Sequence, residues 1–253
     1  MAHPNYLARI LHRPASRARV LINGIPLYDR TPDKNVAPIT PITQWLVQGE
    51  NSVTIELFPT PPSPLTPFLG PHFQMAIMPA DDQDARVFFW EYPDTLKSAG
   101  LPLELPLVFP GMLRIEHALP EAAYRSAKPE DFPIEGTPEQ RAAVFELYDA
   151  FGSRDPARFE AAMALKVSEF ERFYGPQPLS RVDALKRMNQ PWIMEPFDED
   201  DLRFERYADG RVAYARRFSG RPAVRAVHRD EPYFGWGSDL FMTRLDGRWR
   251  IFW

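Results

Sequence analysis

The stretch 137–174, TPEQRAAVFELYDAFGSRDPARFEAAMALKVSEFERFY, constrains the chain most, because its punctuation fits only two helices joined by a tight corner. Thr137 can cap the first helix, Pro138 takes its first helical position, and Gln140 completes a capping box. Val144, Leu147, Tyr148 and Phe151 recur at helical spacing and make one apolar face. Gly152 stands where a left-handed residue would end that helix. Ser153 or Asp155 caps the second helix and Pro156 opens it. Phe159, Met163, Val167, Phe170 and Phe173 or Tyr174 carry its apolar face until Gly175 and Pro176 stop it.

What precedes this stretch is punctuated differently. Most of the 28 prolines lie in the first 140 residues, which excludes long helices there. Residues 19–25 hold an Asn23-Gly24 turn signal between strand-like flanks. Further strands are expected at 44–47, 51–58, 73–78, 86–92, 103–109 and 113–117. In 51–58, Val53, Ile55 and Leu57 alternate with Thr54 and Glu56, the period of a half-buried strand. The proline-dense 59–71 is a connector rather than an element. This number and spacing of short strands points to an antiparallel β-sandwich over 1–120. The polar segment 121–136 is expected to link it to a second domain, 137–253.

After the two helices, Ser180 and Asp183 mark a third, with Val182, Leu185 and Met188 on its apolar face and Pro191 at its end. Strands at 201–207 and 211–218 form a hairpin around Asp209-Gly210, followed by a strand at 223–229. A last hairpin joins 238–245 to 248–253 around Asp246-Gly247. The fold class expected for the chain is therefore α+β.

Composition narrows the function. A length of 253 residues suits one or two domains, and a net charge of -4 argues against direct binding of nucleic acid by bulk electrostatics. The absence of cysteine excludes disulfides, thiolate metal sites and cysteine nucleophiles, and agrees with a cytoplasmic setting. Residues 1–20 show no apolar core of a secretory signal, and no run is long enough to span a membrane.

Two resemblances follow from particular phrases. LYDAFGSRDPARFEAAM, with GRVAYARRF and FMTRLDGRWRIFW, resembles the SnoaL-like, nuclear-transport-factor-2-like superfamily over 137–253. The resemblance implies a cone-like α+β domain of three helices and then a curved antiparallel sheet. It also implies a superfamily of enzymes, ligand binders, protein-interaction modules and some toxin-immunity proteins. LINGIPLYD with WLVQGENSVTIEL resembles, over 19–58, the jelly-roll-type sandwich domains that accompany many carbohydrate-active enzymes. A sugar-binding role stands beside the plainer reading of G-E-N as a hairpin corner.

No catalytic motif is present. The five histidines are scattered without metal-ligand spacing, and no phosphate-binding or nucleophile-elbow pattern occurs, so neither metal nor cofactor is expected. Asp183 with His228 would be the base of an enzyme or the polar groups of a small-molecule pocket inside the cone. The plainer reading makes Asp183 a helix cap and His228 a strand end. Tyr233 and Trp236, also expected among the partner-binding residues, lie in a glycine-aromatic loop, EPYFGWGSD, which would form a lid or contact point over the pocket or fold inward as core. The sharpest charge feature is Glu195, Asp198, Glu199, Asp200 and Asp201. Either Arg211, Arg216, Arg217, Arg221, Arg225 and Arg229 neutralise these carboxylates, or they face a partner with a basic surface, with Trp192, Phe197 and Tyr207 as nearby anchors. The function expected is a non-catalytic protein-binding module, an immunity-type inhibitor that covers the active site of a toxic enzyme such as a nuclease.

Overall fold

Alternation of residue types along 16–22 and 49–59 turns every second side chain inward. One strand accordingly buries Ser16, Ala18, Val20 and Ile22, and its neighbour buries Asn51, Val53, Ile55 and Leu57. The structure is a computed structural model and describes residues 4–60, 70–176, 191–231, 235–238 and 240–253. The chain is α+β and divides into two compact units, Met1–Glu121 and Ala122–Trp253.

The first unit contains β1 (Tyr6–His12), β2 (Ser16–Ile22), β3 (Ile25–Arg30), β4 (Ile39–Pro41), β5 (Gly49–Pro59), β6 (Phe73–Pro79), β7 (Phe88–Tyr92), the short helix α1 (Asp94–Ser98) and β8 (Leu107–Ile115). Its strands form two antiparallel four-stranded sheets, in the orders β4-β1-β6-β7 and β3-β2-β5-β8. The sheets face one another through aromatic rings. Trp90 of β7 lies 5.1 Å from Phe109 of β8, and Phe73 of β6 lies 6.2 Å from Tyr28 of β3. This is a β-sandwich.

Three details differ from the sequence reading. Residues 44–47 are not a strand: Thr43–Trp45 is a buried 3₁₀ turn, and the Asn51 side chain takes both the N–H and the C=O of Val47 that a neighbouring strand would have taken. The separate strands expected at 103–109 and 113–117 are one, β8, which runs straight through Pro110. Because β8 is an edge strand, the missing proline N–H need not interrupt a ladder. Strand β1 was masked by Arg9, His12 and Arg13, yet it buries Tyr6, Ala8, Ile10 and His12 in strict alternation.

The second unit contains α2 (Ala123–Ser126), α3 (Pro138–Gly152), α4 (Pro156–Tyr174), β9 (Trp192–Met194), β10 (Leu202–Tyr207), β11 (Val212–Arg217), β12 (Val224–His228), β13 (Gly235–Ser238), β14 (Leu240–Leu245) and β15 (Arg248–Ile251). Among the described residues its strands form two antiparallel sheets, β10-β11-β14-β15 and β13-β12-β9. One core joins both sheets to the helices: Val144, Leu147 and Phe151 of α3 and Phe159 and Met163 of α4 pack with Phe204, Val224, Met242 and Ile251.

The capping box closes as the sequence implies. The Gln140 N–H donates to Thr137 Oγ1 at 3.3 Å, and the Thr137 N–H donates to Gln140 Oε1 at 2.7 Å. Asp155 rather than Ser153 caps α4, its Oδ1 accepting from the N–H groups of Ala157 and Arg158. The left-handed residue of the corner is Arg154, with φ 55°, and not Gly152, which stays helical. Gly152 answers to packing instead: a Cβ there would stand 3.3 Å from Met194 Cγ. The third helix expected at 180–188 and most of the connector at 59–71 lie outside the described residues.

The segment 121–136 is not a linker. It carries α2 and buries Tyr124 and Phe132 in the second unit. Glu169 of α4 accepts from the Ala123 N–H at 2.7 Å, Arg244 Nη1 donates to Glu130 Oε1 at 2.8 Å, and the Phe204 N–H donates to Ile134 O at 2.7 Å. Its polar composition reflects ion pairs and edge contacts made along the domain rather than exposure to solvent on all sides.

Candidate partner-binding face

The acidic run begins where β9 ends. The Glu195 N–H still donates to Arg225 O at 2.9 Å, so Glu195 is held beside β12 and its carboxylate meets three guanidinium groups. Oε1 accepts from Arg217 Nη1 at 3.0 Å and from Arg221 Nη1 at 2.9 Å, while Oε2 accepts from Arg225 Nη1. Burial pushes the Glu195 carboxyl upward, but the hydrogen bonds from Arg221 and Arg225 and the charges of Arg225 and Arg217 outweigh it. The net result is a pKa below the ordinary value. Arg217 is itself buried, with a side chain 4% exposed, and also donates to the carbonyls of Glu195 and Pro196. Its guanidinium lies over the Phe197 ring at 4.9 Å, and Phe197 stacks on Phe145 of α3 at 5.0 Å. The start of the run is thereby tied to the helix layer.

The rest of the run is presented outward. Glu199–Asp201 form a 3₁₀ turn in which the Asp201 N–H donates to Asp198 O at 3.0 Å, and the Phe218 N–H donates to Asp201 O at 2.8 Å. Asp198, Glu199 and Asp200 are exposed and Asp201 is half-buried. Glu199 is paired with Arg141 at 3.4 Å. Of the arginines expected to neutralise the run, three serve its first carboxylate, Glu195, and two bind carboxylates outside it. Arg216 binds Glu205, Arg211 binds Asp209, and Arg217, Arg221 and Arg225 all serve Glu195. Among the described residues, Asp198 and Asp200 have no ionic partner.

Beside this turn stands an aromatic residue that sequence reasoning passed over. Phe218 is 50% exposed just beyond β11, and its backbone bond to Asp201 fixes it next to the acidic turn. Its signal in the sequence was position: a large apolar residue immediately before Ser219-Gly220, where a turn removes it from the alternating core face.

The other expected anchors do not join the exposed face. Trp192 of β9 is half-buried against the core and meets His228 edge-on at 5.6 Å and 88°. Phe197 is half-buried beneath Arg217, and Tyr207 is buried with its hydroxyl donating to Glu205 Oε2 at 2.6 Å. Residues 235–237, expected in a loop, belong to strand β13, with Trp236 opposite Ala226 of β12. The glycines that suggested a loop suit a strand whose neighbours approach closely; a Cβ on Gly237 would meet Pro222 Cγ at 2.9 Å. Tyr233 and Asp183 lie outside the described residues, and His228 is the last residue of β12. Among the described residues no three His, Asp or Glu side chains gather as a metal site. Compared with known proteins, the chain matches no family model, no curated protein and no solved structure.

Proposed function

We propose that the chain is a non-catalytic protein-binding module, an immunity-type inhibitor that neutralises a toxic enzyme such as a nuclease by covering its active site. The observation that carries this reading is Asp198 and Asp200, exposed and without an ionic partner among the described residues, beside the exposed Phe218. Carboxylates held on an ordered turn keep a local negative potential that steers a basic partner and raises its association rate. An adjacent aromatic ring supplies the kind of anchor that interfaces bury. A nuclease cleft is basic because it holds phosphates, so it complements such a turn in charge. The resemblance of 137–253 to a superfamily with immunity members supports the same reading, with the chain acting in the cytoplasm. No described helix is long and apolar enough to cross a membrane.

The test uses the purified chain as bait, followed by size-exclusion chromatography and an activity assay of whatever co-elutes. The expected result is a one-to-one complex at micromolar concentration in which a toxic enzymatic activity of the partner is suppressed. A partner whose activity is untouched in the complex, or no stable partner at all, overturns the proposal.

A further inference from the structure

Three guanidinium groups converge on the single carboxylate of Glu195, so that cluster carries surplus positive charge. Arg217 is buried and spends its donors on Glu195, Pro196 and Ala223. Arg221 and Arg225 are placed differently. Each reaches Glu195 through Nη1, and among the described residues the remaining donors of both have no acceptor. The Arg221 side chain is 60% exposed and that of Arg225 is 31% exposed.

The second observation concerns β13. Gly235 is exposed, and a Cβ built on it would stand 3.7 Å from Arg225 Nη2 and 4.0 Å from Arg225 Nε. Any other residue at 235 would therefore press on the Ala226 carbonyl oxygen at 3.3 Å and touch Arg225 at its Nε and Nη2 atoms. The Nε–Nη2 edge is the planar, two-donor fork by which arginine binds oxyanions in bidentate fashion. Among the described residues nothing covers that edge, and Arg221 adds a second cation on the same carboxylate.

We propose that Arg225 and Arg221 form a binding site for the phosphate group of a small molecule. Arg225 binds two phosphate oxygens through its Nε–Nη2 edge, Arg221 contributes charge and a further donor, and Glu195 holds both guanidinium groups in place as their internal counter-ion. The chemistry is that of a phosphate oxyanion, whether free phosphate or a phosphomonoester. The inference is independent of what binds the acidic turn.

The experiment is a titration of the whole chain at constant ionic strength, observed through the Arg225 Nε–Hε signal by NMR and through the thermal midpoint. The probes are inorganic phosphate, glycerol phosphate and acetate. Both phosphates are expected to saturate, and the tighter of the two identifies the source; acetate should bind more weakly than either. Arg221→Gln is expected to weaken phosphate binding about tenfold. Gly235→Ala, which leaves every charge in place, should weaken it at least as much by crowding the Arg225 Nε and Nη2 atoms. Arg221 is exposed enough for its substitution to keep the fold, so a folding failure of Gly235→Ala leaves the test intact. A non-saturating drift, equal binding of acetate, or undiminished binding in Arg221→Gln overturns the proposal.

Discussion

Asn23 donates its side-chain amide to Asn51 Oδ1 at 2.8 Å across 28 positions of sequence. Each is also committed elsewhere. Asn23 Nδ2 reaches Trp45 O at 2.8 Å, and Asn23 Oδ1 accepts from the Ser52 N–H at 3.0 Å. Asn51 Oδ1 accepts from the Val47 N–H at 2.7 Å, and Asn51 Nδ2 donates to the carbonyls of Val47 and Gly49. The N-G turn and the G-E-N corner are thus one polar clamp. The Asn51 amide is fully buried and occupied by the protein's own backbone.

This clamp sets the first prediction. Asn51→Ala strands several backbone groups and should cost about 2–4 kcal/mol, whereas Asn23→Ala should cost about 1–2 kcal/mol. Urea unfolding of both variants and of the double variant should show a coupling of about 1 kcal/mol. Strict additivity would mean that the shared bond contributes nothing.

His12 predicts a stability loss in mild acid. It is buried between Tyr28 and Ser16, with Nδ1 2.9 Å from the Tyr28 hydroxyl and Nε2 3.0 Å from Ser16 Oγ. Burial lowers its pKa from 6.5 to about 4; the bond to Ser16 opposes this and the charge of His72 reinforces it. The unfolded chain therefore takes up the proton first. The stability held by neutral His12 is whole above about pH 6.5 and drains as pH falls toward about 4, at roughly 1.4 kcal/mol per pH unit. In His12→Gln the unfolding free energy should be lower at pH 7 and nearly flat between about pH 6.5 and about pH 5.5, a range set above the ordinary carboxyl value.

The arginine cluster predicts a different acid response. Because the folded Glu195 pKa is lowered, its contribution is present above the ordinary carboxyl value and disappears as pH falls through the folded one. Glu195→Gln should flatten that limb only. Arg217→Ala removes a buried cation beneath Glu195 and should cost about 3 kcal/mol by thermal or denaturant unfolding.

Gly210 and Gly247 form a matched pair. Both have positive φ, 88° and 77°, but a Cβ on Gly210 would lie 2.1 Å from Glu130 O, while one on Gly247 meets nothing within 4 Å. Gly247→Ala should therefore cost about 1 kcal/mol from backbone conformation alone. Gly210→Ala should cost clearly more, because it also pushes the 121–136 segment off the sheet. Equal losses would show that the approach of Glu130 carries no energy.

The acidic turn predicts a kinetic effect without a structural one. Asp198→Asn with Asp200→Asn should leave the unfolding midpoint in place, since neither carboxylate has a partner within the described chain. Association with the cognate partner should slow, and more at low salt than at high salt. An unchanged rate at low salt would remove the turn from the interface.

The sequence by itself determined the local elements whose information is local. The Thr137 capping box, the Asn23-Gly24 hairpin, the alternation of β5 and the 3.6-residue stripes of α3 and α4 are written within a few neighbouring residues, because backbone geometry and side-chain period act over that range. It also marked 195–201 as the place where charge accumulates, since composition is visible without folding. Only the tertiary structure decided which of those carboxylates remain unpaired. Arginines adjacent in sequence alternate between the two faces of β11, so Arg216 goes to Glu205 and Arg217 to Glu195. Tertiary pairing likewise turned an apparent linker into part of the second unit, merged two expected strands into β8, and brought Phe218 beside Asp201. These outcomes depend on register and on partners far along the chain, and a one-residue shift in either would have reversed them.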